Sequence, residues 1–250
     1  MTAIENIYFD AGGFYAMNQH VGSVQELHRQ SIVPKKIYGC SAGGGSGLAC
    51  WLILNGYMSI ERIQSITYQI FDNKRPISND LTHIYCEIVD ETVPYWPTNL
   101  AAQISGKLYV GISTRRGFKW IHHYKTNAEL YHAVLMSGTI PNLTSYSSKF
   151  NGEVCLDGCI DFKHENLPDN TLMLHCDVEF PMNLTIPPAF IRPLFVELGR
   201  RNVIDRKQPD GKCTHQTGFM RELLFFIHEI AEFDDKWHKH VEHVTGRFPL

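Results

Sequence analysis

The architecture of this 250-residue chain can be inferred from residues 36–56, which read KIYGCSAGGGSGLACWLILNG. The stretch opens with a strand-like run from Lys36 to Tyr38. It closes with an apolar helix that stops at Gly56, a residue type suited to a helix C-cap. Between them lies the pentapeptide Gly39-Cys40-Ser41-Ala42-Gly43, which fits the G-x-S-x-G pattern of a nucleophile elbow. The stretch therefore predicts a strand, a sharp turn that carries a serine, and a helix.

This turn has a chemical consequence for Ser41. A sharp strand-to-helix turn needs small flanking residues, because a side chain at Gly39 or Gly43 would collide with the turn. The turn exposes the serine hydroxyl at a helix N-terminus, where backbone amides stabilise negative charge. We interpret Ser41 as a candidate nucleophile and the amide of Ala42 as a candidate oxyanion donor. A glycine-rich turn with a surface serine is the alternative interpretation of the pentapeptide alone.

A second glycine-containing turn, Asp10-Ala11-Gly12-Gly13, follows the first predicted strand, Ile4 to Phe9. The backbone N–H groups of Gly12 and Gly13 can point at a developing oxyanion, which is usually a large catalytic effect. A phosphate-binding turn and a plain strand-to-helix turn are the alternatives. The dinucleotide-binding pattern of three spaced glycines is absent, which argues against a nucleotide site.

An acidic residue, Asp157, follows a predicted strand from Glu153 to Leu156 and precedes Gly158. The carboxyl ends of strands are where open α/β sheets place their sites. Asp157 is therefore a candidate catalytic base, although Asp-Gly pairs are also common in simple turns.

In this order, the three segments resemble the motifs of the patatin-like phospholipase family: a glycine-rich oxyanion loop, a G-x-S-x-G elbow and an Asp-Gly pair. The stretch from Ser137 to Pro141 also resembles the Ser…Pro segment that precedes the Asp motif in that family. The resemblance covers roughly residues 4–180. It implies a three-layer α/β/α fold with a mostly parallel central sheet.

The resemblance also implies a role for each matching residue. Ser41 and Asp157 would form a catalytic dyad, with no histidine required. The other implied roles are oxyanion donors at Gly12, Gly13 and Ala42, and supporting motif positions at Asp10, Gly39, Gly43 and Gly158. The implied activity is acyl-ester hydrolysis on phospholipids or neutral glycerolipids, without a metal or an organic cofactor.

Two other functions stay open at this point. One is an α/β-hydrolase esterase with a Ser-His-Asp triad, for which 13 histidines are available. The other is a binding protein that keeps the fold but has weakened or lost activity. Ala11 and Tyr15 favour the second alternative, because the family has a glycine and a basic residue at these positions.

Strand-like and helix-like segments alternate along the chain, which is typical of an α/β fold. We expect a single domain over residues 1–250, with a motif-bearing core at about 4–180 and a C-terminal helical extension at about 216–240. Further helices are predicted over Tyr15–Arg29 and Phe219–Phe233, from the N-cap residue Ser59 onward, and after the capping box that opens at Thr126. A hairpin is predicted within Lys107–His123 and a strand over Thr171–Cys176.

Composition excludes several functional classes. With 23 Lys and Arg against 26 Asp and Glu, the net charge of −3 argues against nucleic-acid binding. The 7 cysteines are scattered, without paired spacing, and predict reduced thiols. Residues 1–6 lack a secretion signal, and no apolar run approaches the ~20 residues of a membrane span. We therefore expect a cytoplasmic protein whose membrane contact, if any, is peripheral.

The sequence also contains a histidine cluster near its end, a proline-containing apolar segment and an aromatic pair. His238, His240, Glu242 and His243 lack a recognised metal-binding spacing, so a solvated tail is favoured over a metal site. The apolar segment Phe180 to Phe195 contains four prolines, which predict irregular structure. We favour a buried connector there, with an apolar flap that contacts lipid as the alternative. Tyr95-Trp96 would add interfacial aromatic side chains to such a flap.

Overall fold

The computed structural model describes residues 4–73, 81–140, 149–176, 187 and 189–205. The chain has an α/β fold with a mostly parallel central sheet and helices on both sides, as the sequence predicts. The strands are β1 (Asn6–Phe9), β2 (Lys36–Cys40), β3 (Leu108–Thr114), β4 (Gly117–Ile121), β5 (Lys149–Phe150), β6 (Glu153–Asp157) and β7 (Thr171–Leu174). Their order is β5-β6-β3-β2-β1-β7, and β4 pairs with β3 outside this path.

The helices agree only in part with the predicted set. They are α1 (Gly13–Arg29), α2 (Ala42–Leu54), α3 (Ile60–Asn73), α4 (Leu81–Thr92), α5 (Leu100–Ile104), α6 (Asn127–Ser137) and α7 (Arg192–Asp205). Helices α4, α5 and α7 are not among the elements predicted from the sequence. No helix in the described ranges is both long and apolar enough to cross a bilayer. The predicted C-terminal elements, residues 216–240 and Phe219–Phe233, and the histidines from His238 onward lie outside the described residues.

Two helix starts confirm the capping signals in the sequence. The Ser59 hydroxyl accepts a hydrogen bond from Arg62 N at 3.1 Å, directly before α3. The Thr126 hydroxyl accepts from Glu129 N at 3.1 Å, directly before α6. The Glu129 carboxylate accepts from the N–H of Lys125 at 2.7 Å. A side-chain cap at each of these helix starts satisfies an amide that has no partner within the helix.

The parallel centre of the sheet brings the glycine turn and the serine turn to one edge. Strand β1 lies between β2 and β7, with Phe9 opposite both Gly39 and Leu174. Because the three strands are parallel, their carboxyl ends lie at the same edge of the sheet. Asp10, Ser41 and the residues that follow β7 are therefore neighbours, although they are far apart in sequence.

Strand β3 brings the third motif to the same place. Its first part pairs in parallel with β2, so that Gly111 lies opposite Cys40. Its last part pairs with β6 in the antiparallel sense, so that Ile112 lies opposite Asp157. Two consecutive residues of β3 thus fix the residue before Ser41 and the candidate base. Because β6 runs antiparallel to β3, its carboxyl end lies beside the middle of β3, next to the elbow.

The two faces of the sheet are covered differently. The main core lies on the face that packs against the longer helices, and it includes Ile7, Leu48 and Ile84. The opposite face carries an aromatic cluster in which Tyr8 stacks on Phe162 with ring centroids 4.7 Å apart. Short 3₁₀ helices at Gly158–Ile160 and His164–Asn166 cover this second face.

Two expectations about apolar segments are wrong in the described residues. Helix α7 begins at Arg192, so the segment Phe180 to Phe195 ends in regular helix. Pro193 is tolerated there because the first turn of a helix needs no N–H donor. Trp96 is buried, and its indole N–H donates to the Thr92 hydroxyl at 3.0 Å, so it is not an interfacial side chain.

Helix α7 packs very closely on α1 through glycines. A Cβ atom added at Gly199 would lie 1.6 Å from the carbonyl oxygen of Gln19. A Cβ atom added at Gly22 would lie 1.7 Å from the carbonyl oxygen of Val196. The hydroxyl of Ser23 donates to the carbonyl oxygen of Gly199 at 3.0 Å. The contact holds α7 against the helix that follows the glycine turn.

We predict that Gly199→Ala lowers the melting temperature by about 2 °C or more. The added methyl group must push the two helices apart, and overpacking typically costs about 1–3 kcal/mol, or roughly 2–4 °C per kcal/mol at this chain length. Arg201→Ala, at an exposed position on the same helix, is the control and should shift Tm by less than about 2 °C. Equal melting temperatures for the two variants would contradict the close packing of α1 on α7.

Candidate active site

Ser41 has a backbone conformation that non-glycine residues rarely adopt, with φ 56° and ψ −129°. It lies between the last residue of β2 and the first residue of α2. The turn is tight on both sides: a Cβ atom at Gly39 would lie 2.2 Å from the Gly43 carbonyl oxygen, and one at Gly43 would lie 2.0 Å from the Phe9 carbonyl oxygen. Strained conformations of this kind cost about 1–3 kcal/mol and persist only where surrounding contacts hold them.

The backbone of Ser41 is held by two side chains. Its N–H lies 2.9 Å from the hydroxyl oxygen of Ser137 and 3.1 Å from the Ser137 carbonyl oxygen. Its carbonyl oxygen lies 3.2 Å from the hydroxyl of Tyr85 and also accepts from Gly44 N at 2.9 Å. Both backbone polar groups of the candidate nucleophile therefore have defined partners.

Asp157 is fully buried at the end of β6. Its Oδ1 accepts a hydrogen bond from Cys159 N at 2.9 Å, and its own N–H donates to the Thr139 carbonyl oxygen at 2.7 Å. Burial raises the pKa of the Asp157 carboxyl, and the nearby Ser41 hydroxyl opposes that rise. Among the residues that the structure describes, none donates a hydrogen bond of normal geometry to Oδ2. A desolvated carboxylate beside a serine hydroxyl is a stronger base than one in water.

Gly158 allows this carboxylate to approach the elbow. A Cβ atom there would lie 2.2 Å from the carbonyl oxygen of Gly111, so any larger residue would push β6 away from β3. The hydroxyl of Ser113, on β3, lies 3.4 Å from the Gly158 carbonyl oxygen and accepts from Asp161 N at 3.1 Å. The turn after Asp157 is therefore fixed on β3 as well.

The glycine turn after β1 is closed by Asp10. Its Oδ1 accepts from Ala11 N at 2.8 Å, and its Oδ2 lies 2.9 Å from Nδ1 of His175. Gly12 and Gly13 both have positive φ, at 144° and 56°. Gly13 begins α1, just as Ala42 begins α2, and amides in a first turn have no acceptor within their own helix. Two helix N-termini thus offer amide donors near the elbow.

Tyr15 occupies the position at which the resembled family has a basic residue. It is buried, and its ring packs edge-to-face on Phe195 with centroids 5.0 Å apart. The aromatic ring therefore joins the glycine turn to α7 through an apolar contact where the family has a cation.

The structure brings together the residues that the sequence singled out at the edge of the sheet. The side chains of Tyr85 and Ser137 were missed as parts of this site, although Ser137 belongs to the Ser…Pro resemblance. Tyr85 lies in a helix that has no motif, so nothing in the sequence marks it. The described residues contain no cluster of three or more metal-ligating side chains.

No protein-family model matches the chain, and no curated protein matches its sequence. Among solved structures, VipD from Legionella pneumophila is similar with a TM-score of 0.43 and 13% sequence identity. The similar region covers 89% of this chain and 59% of the VipD chain, so this chain spans about three-fifths of VipD.

We predict that Ser41→Gly is more stable than Ser41→Ala. Glycine adopts positive φ without steric cost, whereas alanine retains the strain and loses only the hydroxyl. After the entropic cost of glycine, a gain of up to about 2 kcal/mol remains, which is up to about 8 °C in Tm. Thermal unfolding of the two variants measures this difference directly. A glycine variant that melts at or below the alanine variant would mean that the turn is not strained.

Proposed function

We propose that this chain is a serine lipid-acyl hydrolase of the patatin-like kind, acting on phospholipids or neutral glycerolipids. The observation that carries the proposal is the pairing of a strained serine at a helix N-terminus with a buried carboxylate of raised pKa. Each feature is uncommon and costs stability. Their coincidence at the carboxyl edge of a sheet is typical of a catalytic site.

In the proposed reaction, Asp157 accepts the proton of the Ser41 hydroxyl as the oxygen attacks the ester carbonyl carbon. The resulting oxyanion would be stabilised by the amides of Ala42 and of Gly13, with Gly12 shaping the turn. The tetrahedral intermediate collapses to an acyl-enzyme, and Asp157 returns the proton to the departing alcohol. Water then attacks the acyl-enzyme with the same carboxylate as base, which releases the fatty acid and restores the serine.

A small, mostly apolar cavity of about 30 Å³ lies near the elbow, and its lining suits an acyl group better than a polar group. It lies among α1, α2, α3 and α4, and its contact with α2 begins at Gly45, one helical turn past Ser41. Most of its lining is apolar, although His20, Ser46 and two threonines also reach it. The apolar residues include Met17, Leu48, Ala49, Ile53, Ile63 and Ile88. A chain of methylene groups gains free energy by leaving water for such surroundings.

A Ser-His-Asp triad is less well supported. In the described part of the chain, the hydrogen-bonding partners of Ser41 do not include a histidine. His20 lies on the neighbouring helix, but its Nδ1 is 2.9 Å from the hydroxyl of Ser46. Burial lowers the pKa of His20 to about 4, which makes it a poor base at neutral pH. The dyad therefore needs fewer assumptions than the triad.

We predict that a fluorophosphonate probe labels Ser41, as mapped by peptide mass spectrometry. Ser41→Ala should abolish both the labelling and the hydrolysis of a nitrophenyl ester. Asp157→Asn should lower turnover by about 10²–10⁴-fold, because an amide cannot accept the proton. Asp161→Asn, on the same turn, is the matched control and should stay within a few-fold of wild type.

Two outcomes would contradict the proposal. Labelling of another serine, with Ser41→Ala still active, would remove Ser41 as nucleophile. A folded wild-type protein that is neither labelled nor active on any ester would favour the binding-protein alternative. Tyr15 and Ala11 are the residues that favour this alternative. Circular dichroism of each variant separates these outcomes from loss of the fold.

We also propose that the start of α7 contacts a lipid surface. Phe190 is 85% exposed and Leu194 is 58% exposed, which is unusual for such large apolar side chains. The guanidinium of Arg192 lies 5.4 Å from the centroid of the Phe71 ring, and Phe71 packs against Phe14. Because Phe14 directly follows Gly13, the exposed pair lies at the same end of the molecule as the glycine turn.

We predict that Phe190→Asp combined with Leu194→Asp reduces hydrolysis of phospholipid vesicles by about 10-fold or more. If these side chains insert into lipid, each substitution removes about 1.5–3 kcal/mol of favourable transfer free energy. Cleavage of a soluble short-chain ester should stay unchanged. Val33→Asp is the control, since Val33 is 67% exposed just before β2, at the opposite end of the strands from Ser41. Equal losses on both substrates, or an equal effect of Val33→Asp, would contradict the proposed surface.

A further inference from the structure

We propose that Tyr85 and Ser137 are positioning residues that keep the Ser41 hydroxyl in its reactive place by fixing the strained elbow from both sides. The expected effect on the reaction rate rests on the proposed function, whereas the expected effect on the Ser41 backbone does not. Two of the hydrogen bonds to Ser41 are made by these side chains, and no motif assigns a role to either of them.

Ser137 couples the elbow to β3. It is fully buried at the last position of α6, and its hydroxyl lies 2.7 Å from the carbonyl oxygen of Gly111. A hydroxyl has one hydrogen, so donation to Gly111 leaves its lone pairs to accept from Ser41 N at 2.9 Å. Gly111 directly precedes Ile112, which pairs with Asp157. One hydroxyl therefore joins the backbone of the nucleophile to the strand that positions the base.

Tyr85 acts from the other side, on the Ser41 carbonyl oxygen. Its hydroxyl lies 3.2 Å from that oxygen and 3.1 Å from the carbonyl oxygen of Val134, so its one hydrogen is shared between these two acceptors. The phenol oxygen in turn accepts from Gly45 N. Burial, with a contribution from the Asp157 carboxylate, raises the pKa of Tyr85, so the phenol stays a neutral donor. A Cβ atom at Gly138 would lie 2.9 Å from the ring, which leaves the ring little room to move.

Together the two residues supply what a strained conformation needs in order to persist. The N–H and the C=O of Ser41 are bound to different helices, α6 and α4, so the peptide units on either side cannot rotate independently. Without one of these side-chain bonds, that side of Ser41 keeps a single backbone contact, either to the Ser137 carbonyl oxygen or to Gly44 N. We expect φ then to relax toward the ordinary negative range, which moves the hydroxyl relative to Asp157. Misplacement by about 1 Å can cost about 10²-fold in rate while substrate binding is retained.

The test compares matched removals of single buried hydroxyl groups. Tyr85→Phe and Ser137→Ala remove the proposed contacts. Tyr131→Phe removes a buried hydroxyl that binds Asp90, and Ser23→Ala removes one that binds the Gly199 carbonyl oxygen. With a soluble fluorophosphonate, we expect the first two variants to lower the maximal inactivation rate by about 10-fold or more. The half-saturating probe concentration should change by less than about 3-fold, and the two controls should keep the wild-type rate.

A second readout does not depend on activity. Hydrogen exchange of the Ser41 amide, followed by NMR, should become about 10-fold faster or more in Tyr85→Phe and in Ser137→Ala, and stay unchanged in the controls. Unchanged exchange together with inactivation rates within about 2-fold of wild type would overturn the inference and leave the proposed function standing. The opposite case is also informative: if the two variants exchange faster but the wild-type protein is never labelled, the positioning role stands and the proposed function is rejected.

Discussion

The left-handed backbone of Ser41 is the constraint on which the rest of the site depends. It places Ser41 at the N-terminus of α2, where the first amides have no acceptor within the helix. It also demands glycine at positions 39 and 43, because neither turn partner has space for a side chain. Glycines are unfavourable inside a helix, so the glycine-rich start of α2 lowers the local stability of this helix. The packing of the apolar rest of α2 against the core offsets that loss.

Strand β3 connects this constraint to the chemistry. It pairs with β2 in one direction and with β6 in the other, and the change of partner falls between Gly111 and Ile112. The carbonyl oxygen of Gly111, at the change of partner, accepts from the Ser137 hydroxyl at 2.7 Å, and a Cβ atom at Gly158 would lie only 2.2 Å from it. The backbone pairing of β3 therefore brings the two residues of the proposed dyad to the same place. This is why residues 116 positions apart, Ser41 and Asp157, can meet reproducibly.

Local signals in the sequence predicted much of the fold and the candidate site. Strand β2, the elbow and α2 follow from glycine spacing and apolar runs, and the caps at Ser59 and Thr126 follow from local hydrogen bonding. Helix α7 could not be predicted, because proline content suggested irregular structure and the glycine contact with α1 is a tertiary feature. Tyr85 was missed for the same reason: its role exists only where α4 packs over the elbow. The end of the chain lies outside the described residues, so its predicted helix stays a prediction.

The pH dependence of Ser41 inactivation by a soluble fluorophosphonate tests the dyad most directly. The Asp157 carboxyl must be ionised to accept the proton, and burial raises its pKa above the ordinary value of about 4. We predict that the rate falls as the pH drops through this raised pKa, and that Asp157→Asn is slow at every pH with no such transition. The dyad would be contradicted if Asp157→Asn kept the wild-type rate and profile while a folded His→Ala variant lost them, since a histidine would then be the base.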